Sequence, residues 1–378
     1  MPGKRLCGAS GPGLLRLLTL VLAAATAGCG TWTTVSAALE EEQDASSRMT
    51  AETMVVSQPP VKSEDAAAGA RQFALMALLS QLSYLRHLPE SERNDADCGQ
   101  WIRGHPINRI DTRDPGKTPA WRRWGDERGC FSGSGLYYEV YVFQKEGPGE
   151  HASQAVIAFR GTENYGTQSL LDWSSNASSA LGVHAIEYEQ AQRQVPRTIQ
   201  ALRDQHPGVQ IFLTGHSLGG GLAQQSAYMA REGEVAATYV FNTSAVTNWS
   251  ALQREGKIGD GSHDPRIYRV QERGEGLGLL RWVSSRVNFR RYGRSDHEFN
   301  FSQGNLASEH NMAILTCNFA VRVLNTGADF GYTAGMARQV LQYQPDAAPP
   351  KGKGVIPPCP GKVLEKLPPG LWPDRSAG

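Results

Sequence analysis

"VQIFLTGHSLGGGLAQQ", residues 209–225, contains a change of period that decides how the rest of the chain is read. Val209, Ile211, Phe212 and Leu213 form an apolar run of strand length; Leu218, Leu222, Ala223, Ser226 and Met229 then recur at helical spacing. Gly215-His216-Ser217-Leu218-Gly219 stands at the junction, so a GxSxG motif lies between strand and helix, the context a nucleophile elbow requires. Turning at once from strand to helix crowds the backbone and thrusts the turn side chain outward. Gly215 and Gly219 leave room for that turn because they lack Cβ. The N–H of Leu218, at the start of the new helix, is placed to meet a developing oxyanion.

Working outward, "LYYEVYVF" (136–143) and "QAVIAFR" (154–160) read as a hairpin or as neighbouring strands around a Gly147-Pro148-Gly149 loop. A helix is expected from Ile186 to Gln205, with Tyr188, Ala191, Val195, Ile199 and Leu202 in register and Pro196 kinking or restarting it. Downstream, "AATYVFN" (236–242) and "RIYRVQE" (266–272) read as strands, and residues 310–324 as a helix with Met312, Leu315, Phe319 and Val323 on one side. Strands alternating with helices imply an α/β fold, a mostly parallel sheet with helices on both faces. The domain opens with "GARQFALMALLSQLSYLRHL" (69–88), where Leu75, Leu78, Leu79, Leu82 and Leu85 mark one face of an amphipathic helix. Residues 97–131, with Trp101, Trp121 and Trp124, read as an irregular surface loop stapled by Cys98 and Cys130. Arg281, Arg286, Arg290, Arg291 and Arg294 read as a solvated face, with an anionic headgroup site as the alternative.

At 378 residues and 40% hydrophobic residues, the chain can bury a sizeable core, as one large domain with extensions or as two modest ones. A net charge of +1 with 20% charged residues argues against a nucleic-acid partner. Lys4, Arg5 and the apolar "LLRLLTLVLAAATAG" (14–28) form a signal peptide over residues 1–28, with Arg16 interrupting any membrane span. Thr26-Ala27-Gly28-Cys29 resembles the lipobox of bacterial lipoproteins, which implies lipidation of Cys29 and a membrane partner. Gly30, in place of Asp, favours the outer membrane by the same resemblance; ordinary signal cleavage near this point, giving a secreted protein, is the alternative. Residues 29–65 then read as a flexible tether, 66–345 as the catalytic domain and 346–378 as a Pro-rich tail. Four cysteines remain, Cys98, Cys130, Cys317 and Cys359. Nearest-neighbour pairing would join the first two and the last two, one of three connectivities that fit an oxidising compartment.

A serine nucleophile needs a base and an orienting acid, and in α/β-hydrolases these follow in chain order. The base is sought among His263, His297 and His310; His297, in Asp296-His297-Glu298, reads as part of a charged surface turn. His310 is preferred because it stands at a helix start after the last strand. For the acid, Glu275 in a glycine turn just past a strand is placed ahead of Glu272, with Asp264 third.

"VIAFRGT" (156–162), Asp172-Trp173, "LTGHSLGGGLA" (213–223) and the final histidine before a helix resemble the class 3 lipases, the fungal-lipase-like α/β-hydrolases, over about residues 130–325. The resemblance implies a serine hydrolase of acyl-lipid esters, a triacylglycerol lipase or a phospholipase of the same mechanism, needing no cofactor or metal. A non-catalytic binding lipoprotein of the same fold is the reading from another class. The resemblance further implies that Thr162 joins Leu218 in holding the oxyanion, and that 163–182 is a lid with Leu171 and Trp173 as apolar contacts. Two features depart from the family pattern. Glu stands at 275 where Asp is usual, and Asn242-Thr243-Ser244 stands where a Pro-containing turn is usual.

Overall fold

The computed structural model describes residues 33–34, 55–57, 71–84, 107, 110–113, 119–125, 130–133, 135–145, 147, 149–161, 177–244, 246–258, 265–273, 275, 294–301, 310–326, 332–342, 359, 361–364 and 366–367. In chain order these hold β1 (Thr33–Thr34), β2 (Val55–Ser57), α1 (Phe73–Leu82), β3 (Ala120–Arg123), β4 (Cys130–Gly133), β5 (Leu136–Gln144) and β6 (Gln154–Phe159). There follow α2 (Ala177–Gln205), β7 (Gln210–His216), α3 (Leu218–Met229), β8 (Ala237–Phe241), α4 (Trp249–Arg254) and β9 (Ile267–Glu272). The last elements are β10 (Arg294–Phe299), α5 (Met312–Thr326), α6 (Ala334–Gln342) and α7 (Gly361–Leu364).

The strands form one sheet in the order β1-β2-β10-β9-β8-β7-β6-β5-β3, with β4 also on β5. Strands β6 to β10 run parallel, and antiparallel strands flank them on both sides. This is the expected α/β architecture, a mostly parallel sheet with helices on both faces. Side chains of each strand alternate between two apolar layers, as a sheet covered on both faces requires. Ala155, Ile157 and Phe159 of β6 pack with α2 and α3 through Tyr188, Val195, Leu202, Leu222 and Ala227. Val156 and Ala158 pack on the opposite face with α1, α5 and α6. The residues expected in register on α2 and α5 are among those facing the sheet.

Several elements differ from expectation, each for a physical reason. α1 is buried along all ten residues rather than on one face, because it is sandwiched between the sheet and α5. The Phe73 ring meets Tyr239 and His297 of the sheet at 6.1 and 4.9 Å and Phe319 of α5 at 6.3 Å. Threonine hydroxyls reach the α1 backbone from both sides, Thr214 donating to the Met76 carbonyl and Thr316 to that of Ala77.

The 97–131 stretch contributes β3 and β4, which pair with β5 and bury Trp121 and Trp124. Asp296-His297-Glu298 is not a surface turn but part of β10: Ser295, His297 and Phe299 are buried while Asp296 and Glu298 are half-buried between them. The period of two is present, but polar side chains disguise it. β1 and β2, within the expected tether, add to the β10 edge of the sheet. α2 continues through Pro196, which lies on the exposed side, where a carbonyl that loses its partner can turn to water.

α6 and α7 were not anticipated. A disulfide between Cys317 and Cys359 ties the α7 segment to α5, and Lys366 donates to Asn318 Oδ1 at 2.8 Å. Cys130 is also disulfide-bonded. Cys29, Cys98, Trp101, the expected lid as far as residue 176 and the arginines from Arg281 to Arg291 lie outside the described residues; 177–182, expected to close the lid, belong to α2.

Candidate active site

Parallel register brings the ends of four strands to one edge. Phe159 of β6 pairs with Gly215 of β7, His216 with Phe241 of β8, and Phe241 with Val270 of β9. The segments leaving these strands, which begin at Arg160, Ser217, Asn242 and Arg273, therefore emerge side by side. That is where loops on a parallel sheet carry chemistry.

Ser217 joins β7 directly to α3 with φ of 56° and ψ of −125°, a conformation that L residues rarely adopt. Several hydrogen bonds hold it there. The Ser217 N–H donates to the Phe241 carbonyl, and its own carbonyl accepts from Gly220, Gly221 and Ser244. The two motif glycines are needed for closeness. A Cβ on Gly215 would strike the Gly219 backbone, and one on Gly219 would strike the Phe159 carbonyl. From Ile211 to Tyr228, Ser217 alone is not buried. The Leu218 N–H is in the first turn of α3, where backbone donors have no acceptor within the helix.

The Asn242-Thr243-Ser244 turn supports the elbow from below. Asn242, itself at φ 39°, accepts the Glu272 N–H on its Oδ1, and Thr243 accepts from Gln224 of α3 at 3.0 Å. With Ser244 bound to the Ser217 carbonyl, this polar turn does by hydrogen bonding what a proline would do by stiffness. Sequence reading noted the turn only as a departure from pattern.

His310 and Glu275 meet: His310 Nδ1 lies 2.9 Å from Glu275 Oε2, and both side chains are buried. Glu272 is buried too, and its N–H donates to Asn242 Oδ1. His297 is remote in role, wedged against Phe73 with Nε2 2.8 Å from Ser295 Oγ. Thr162, His263 and Asp264 lie outside the described residues.

Two residues to which the sequence alone assigns no role, His216 and Tyr84, tie these groups together. His216, the variable position of the motif, has Nδ1 2.8 Å from Tyr84 Oη and Nε2 2.7 Å from the His310 carbonyl. Tyr84 Oη in turn accepts the Gly161 N–H at 2.9 Å. Nothing in a leucine-rich helix end signals such a role for Tyr84. Arg160, before Gly161, stacks its guanidinium over Tyr137 at 4.1 Å. The hydroxyls of Tyr137 and Tyr141 donate to buried Glu139 at 2.5 and 2.6 Å. Burial first, and then the Glu139 charge, push both phenols well above their ordinary pKa, so they remain donors.

Residues 125–271 match the Tle-like phospholipase domain. The phospholipase-like span thus holds β4 to β8, all but the last residue of β9 and the Ser217 elbow, and ends short of Glu275 and His310. The extracellular phospholipase A1 of Serratia liquefaciens is 33% identical over 119 residues, 32% of this chain and 30% of that protein. The matched stretch therefore spans less than a third of that relative's length. Among solved structures, the lipase from Rhizopus microsporus var. chinensis aligns with a TM-score of 0.32 at 15% identity, covering 57% of this chain and 69% of its own. Lipase II from Rhizopus niveus aligns at 0.31 and 14%, covering 61% and 78%.

Proposed function

We propose that the protein is an exported serine hydrolase that cleaves the carboxylic esters of acyl lipids, with glycerophospholipids as the favoured substrate class. The observation that carries the chemistry is a single half-open serine in a strained strand-to-helix turn, together with a carboxylate-bound histidine whose carbonyl is hydrogen-bonded to His216, the serine's chain neighbour. The phospholipase match carries the substrate class over a triacylglycerol. The extracellular relative and the disulfide at Cys317 support export.

In this reading Ser217 Oγ attacks the acyl carbonyl while His310 Nε2 takes its proton. Glu275 holds the Nδ1–H, fixing the tautomer and balancing the imidazolium charge. The Leu218 N–H and Thr162 receive the oxyanion. The tetrahedral intermediate collapses, His310 returns the proton to the leaving alcohol, and water admitted by the same base releases the fatty acid from Ser217. Glu275 extends one methylene further than Asp would, which suits its start beyond the end of β9. The chain is further proposed to be lipidated at Cys29 and held at the outer membrane, with 66–345 as the catalytic domain.

Purified enzyme and a Ser217→Ala variant, assayed on phosphatidylcholine vesicles, a triacylglycerol emulsion and a p-nitrophenyl ester, test the proposal. Wild type is expected to release fatty acid from the vesicles and to react with a fluorophosphonate, and Ser217→Ala to do neither. Turnover retained by the alanine variant would refute the mechanism. Turnover of triacylglycerol alone would move the substrate class. A wild type that binds vesicles but neither labels nor turns over would mark a non-catalytic lipid-binding protein. Fractionation of cells expressing Cys29→Ala tests the anchor, which is wrong if the variant still sediments with membranes.

A further inference from the structure

We propose that Tyr84 and His216 are positioning residues that lock the oxyanion strand, the nucleophile and the base to one another through a directed chain of hydrogen bonds. This rests on the serine-hydrolase reading above. The direction of the chain follows from donor and acceptor chemistry. The His310 carbonyl can only accept, so His216 Nε2 carries the hydrogen that spans their 2.7 Å. In a neutral imidazole Nδ1 is then the acceptor, and the Tyr84 hydroxyl is its donor at 2.8 Å, a shorter contact than the 3.3 Å from the same hydroxyl to the His216 carbonyl. With that hydrogen committed, a lone pair of Tyr84 Oη receives the Gly161 N–H at 2.9 Å. The order is Gly161 N–H to Tyr84 O–H to His216 ring to His310 carbonyl, each group donating onward.

The chain's anchor points are those whose mutual placement ester cleavage needs. Gly161 lies two residues past the end of β6 and just before Thr162, His216 ends β7 just before Ser217, and His310 presents the ring that Glu275 orients. The links span 77, 132 and 94 residues, so covalent continuity along the backbone does little to fix these groups relative to one another. Tyr84 arrives from a fourth element. Ser83 and Tyr84 close the end of α1 by bonding back to Leu79 and Gln81, and Ser83 Oγ caps the Ser80 carbonyl. α1 itself is clamped between sheet and α5, so the phenol is delivered on a rigid support.

The His216 and His310 rings also pack together, with centroids 4.8 Å apart. His310 is thus held twice, by its carbonyl through His216 and by its ring through Glu275. Packing alone needs none of this, since an apolar side chain at 216 would fill the same space. What the imidazole adds is a donor and an acceptor at opposite ends of one rigid plane, and both ends are used.

The test uses Tyr84→Phe, His216→Ala, His216→Gln and His216→Asn in the full-length protein. Each is measured for kcat and KM on p-nitrophenyl butyrate, fluorophosphonate labelling rate, labelled fraction at saturation, and Tm. Gln reaches the Nε2 position and can still donate to His310; Asn reaches only the Nδ1 position and can still accept from Tyr84. Tyr84→Phe is expected to lower kcat per labelled site about ten- to a hundredfold, the cost of small misplacements, with KM within about twofold. His216→Gln should recover part of the kcat lost in His216→Ala, and more than His216→Asn. The Tyr84→Phe, His216→Ala double variant should be no slower than the slower single, because both cut one chain.

Counting per labelled site removes molecules that fail to fold. If Tyr84→Phe does not fold at all, the comparison of Gln with Ala at 216 decides. A Tyr84→Phe kcat within twofold of wild type, Gln no better than Ala, or losses confined to Tm and labelled fraction would each overturn the inference. Should Ser217→Ala retain turnover, the hydrolase reading itself fails. Should it be inactive while Tyr84→Phe stays normal, only the positioning role fails.

Discussion

Acidification should destabilise this protein through His297, a buried residue of β10 outside the proposed group of Ser217, His310 and Glu275. Its ring is fully buried on β10 between Phe73 at 4.9 Å and Tyr268 at 6.0 Å, with Nε2 bonded to Ser295. Burial lowers its pKa from 6.5 to about 4, against a smaller opposing pull from the Asp296 charge. Above pH 6.5 neither the folded nor the unfolded chain protonates here, so the residue contributes nothing to pH dependence. As pH falls from 6.5 toward 4 the unfolded chain takes up a proton that the folded one refuses, and stability falls. Below 4 both states are protonated and the loss is complete. At about 1.4 kcal/mol per pH unit the full loss is about 3 kcal/mol, of which about 2 kcal/mol has accrued by pH 5. Urea denaturation of wild type and His297→Gln at pH 8 and pH 5 isolates this contribution, because other titrating groups cancel in the difference. Wild type should lose about 2 kcal/mol more than the variant over that interval. Equal losses in both proteins would refute the assignment of a neutral buried imidazole.

Three further outcomes follow from the site and its supports. Glu275→Gln should lower kcat on a p-nitrophenyl ester by a factor on the order of 10³ to 10⁴ with little change in Tm, whereas Glu272→Gln should act mainly on Tm; the reverse pattern would make Glu272 the acid. Glu139→Ala removes the carboxylate shared by Tyr137, Tyr141 and Arg123, the last at 3.6 Å and as buried as the acid, and should cost about 3–5 kcal/mol in denaturant titration. Replacing Cys317 and Cys359 by Ala opens a loop of sequence separation 42 and should cost about 4 kcal/mol by loop entropy, read as a lower urea midpoint under non-reducing conditions.

How far the sequence reveals this molecule depends on whether each segment meets a uniform or a mixed environment. β6, β7, β8 and the faces of α2 and α5 were readable because apolar side chains mark the buried positions directly. β10 was not, because Ser295, His297 and Phe299 bury a period-two face in which two of three members are polar, satisfied by one another or by neighbouring rings. α1 was read as half-buried because Ser80 and Gln81 interrupt its leucines, yet both are buried, which only the arrival of α5 on its far side explains. β3 and β4 are four residues each and owe their conformation to pairing with β5 rather than to their own composition. Local pattern carries burial against one partner; it does not carry the second partner.

The same distinction separates the parts of the site. Ser217 was visible because the physics of its turn is written in adjacent residues, glycines where Cβ atoms would collide and a helix that starts at once. The pairing of Glu275 with His310 could be approached from chain order and strand ends, since a parallel sheet delivers all its C-terminal ends to one edge. Tyr84 obeys neither rule. It lies upstream of every strand that builds the edge, on the tip of a helix whose only pattern is apolar, and it reaches Gly161 and His216 because α1 is threaded under the sheet edge. A residue of that kind leaves no local trace, since its value comes wholly from where the tertiary fold sets it down. The exposed serine makes the site recognisable, whereas buried groups such as Tyr84 and His216, drawn from distant parts of the chain, would set how closely its nucleophile and base are aligned.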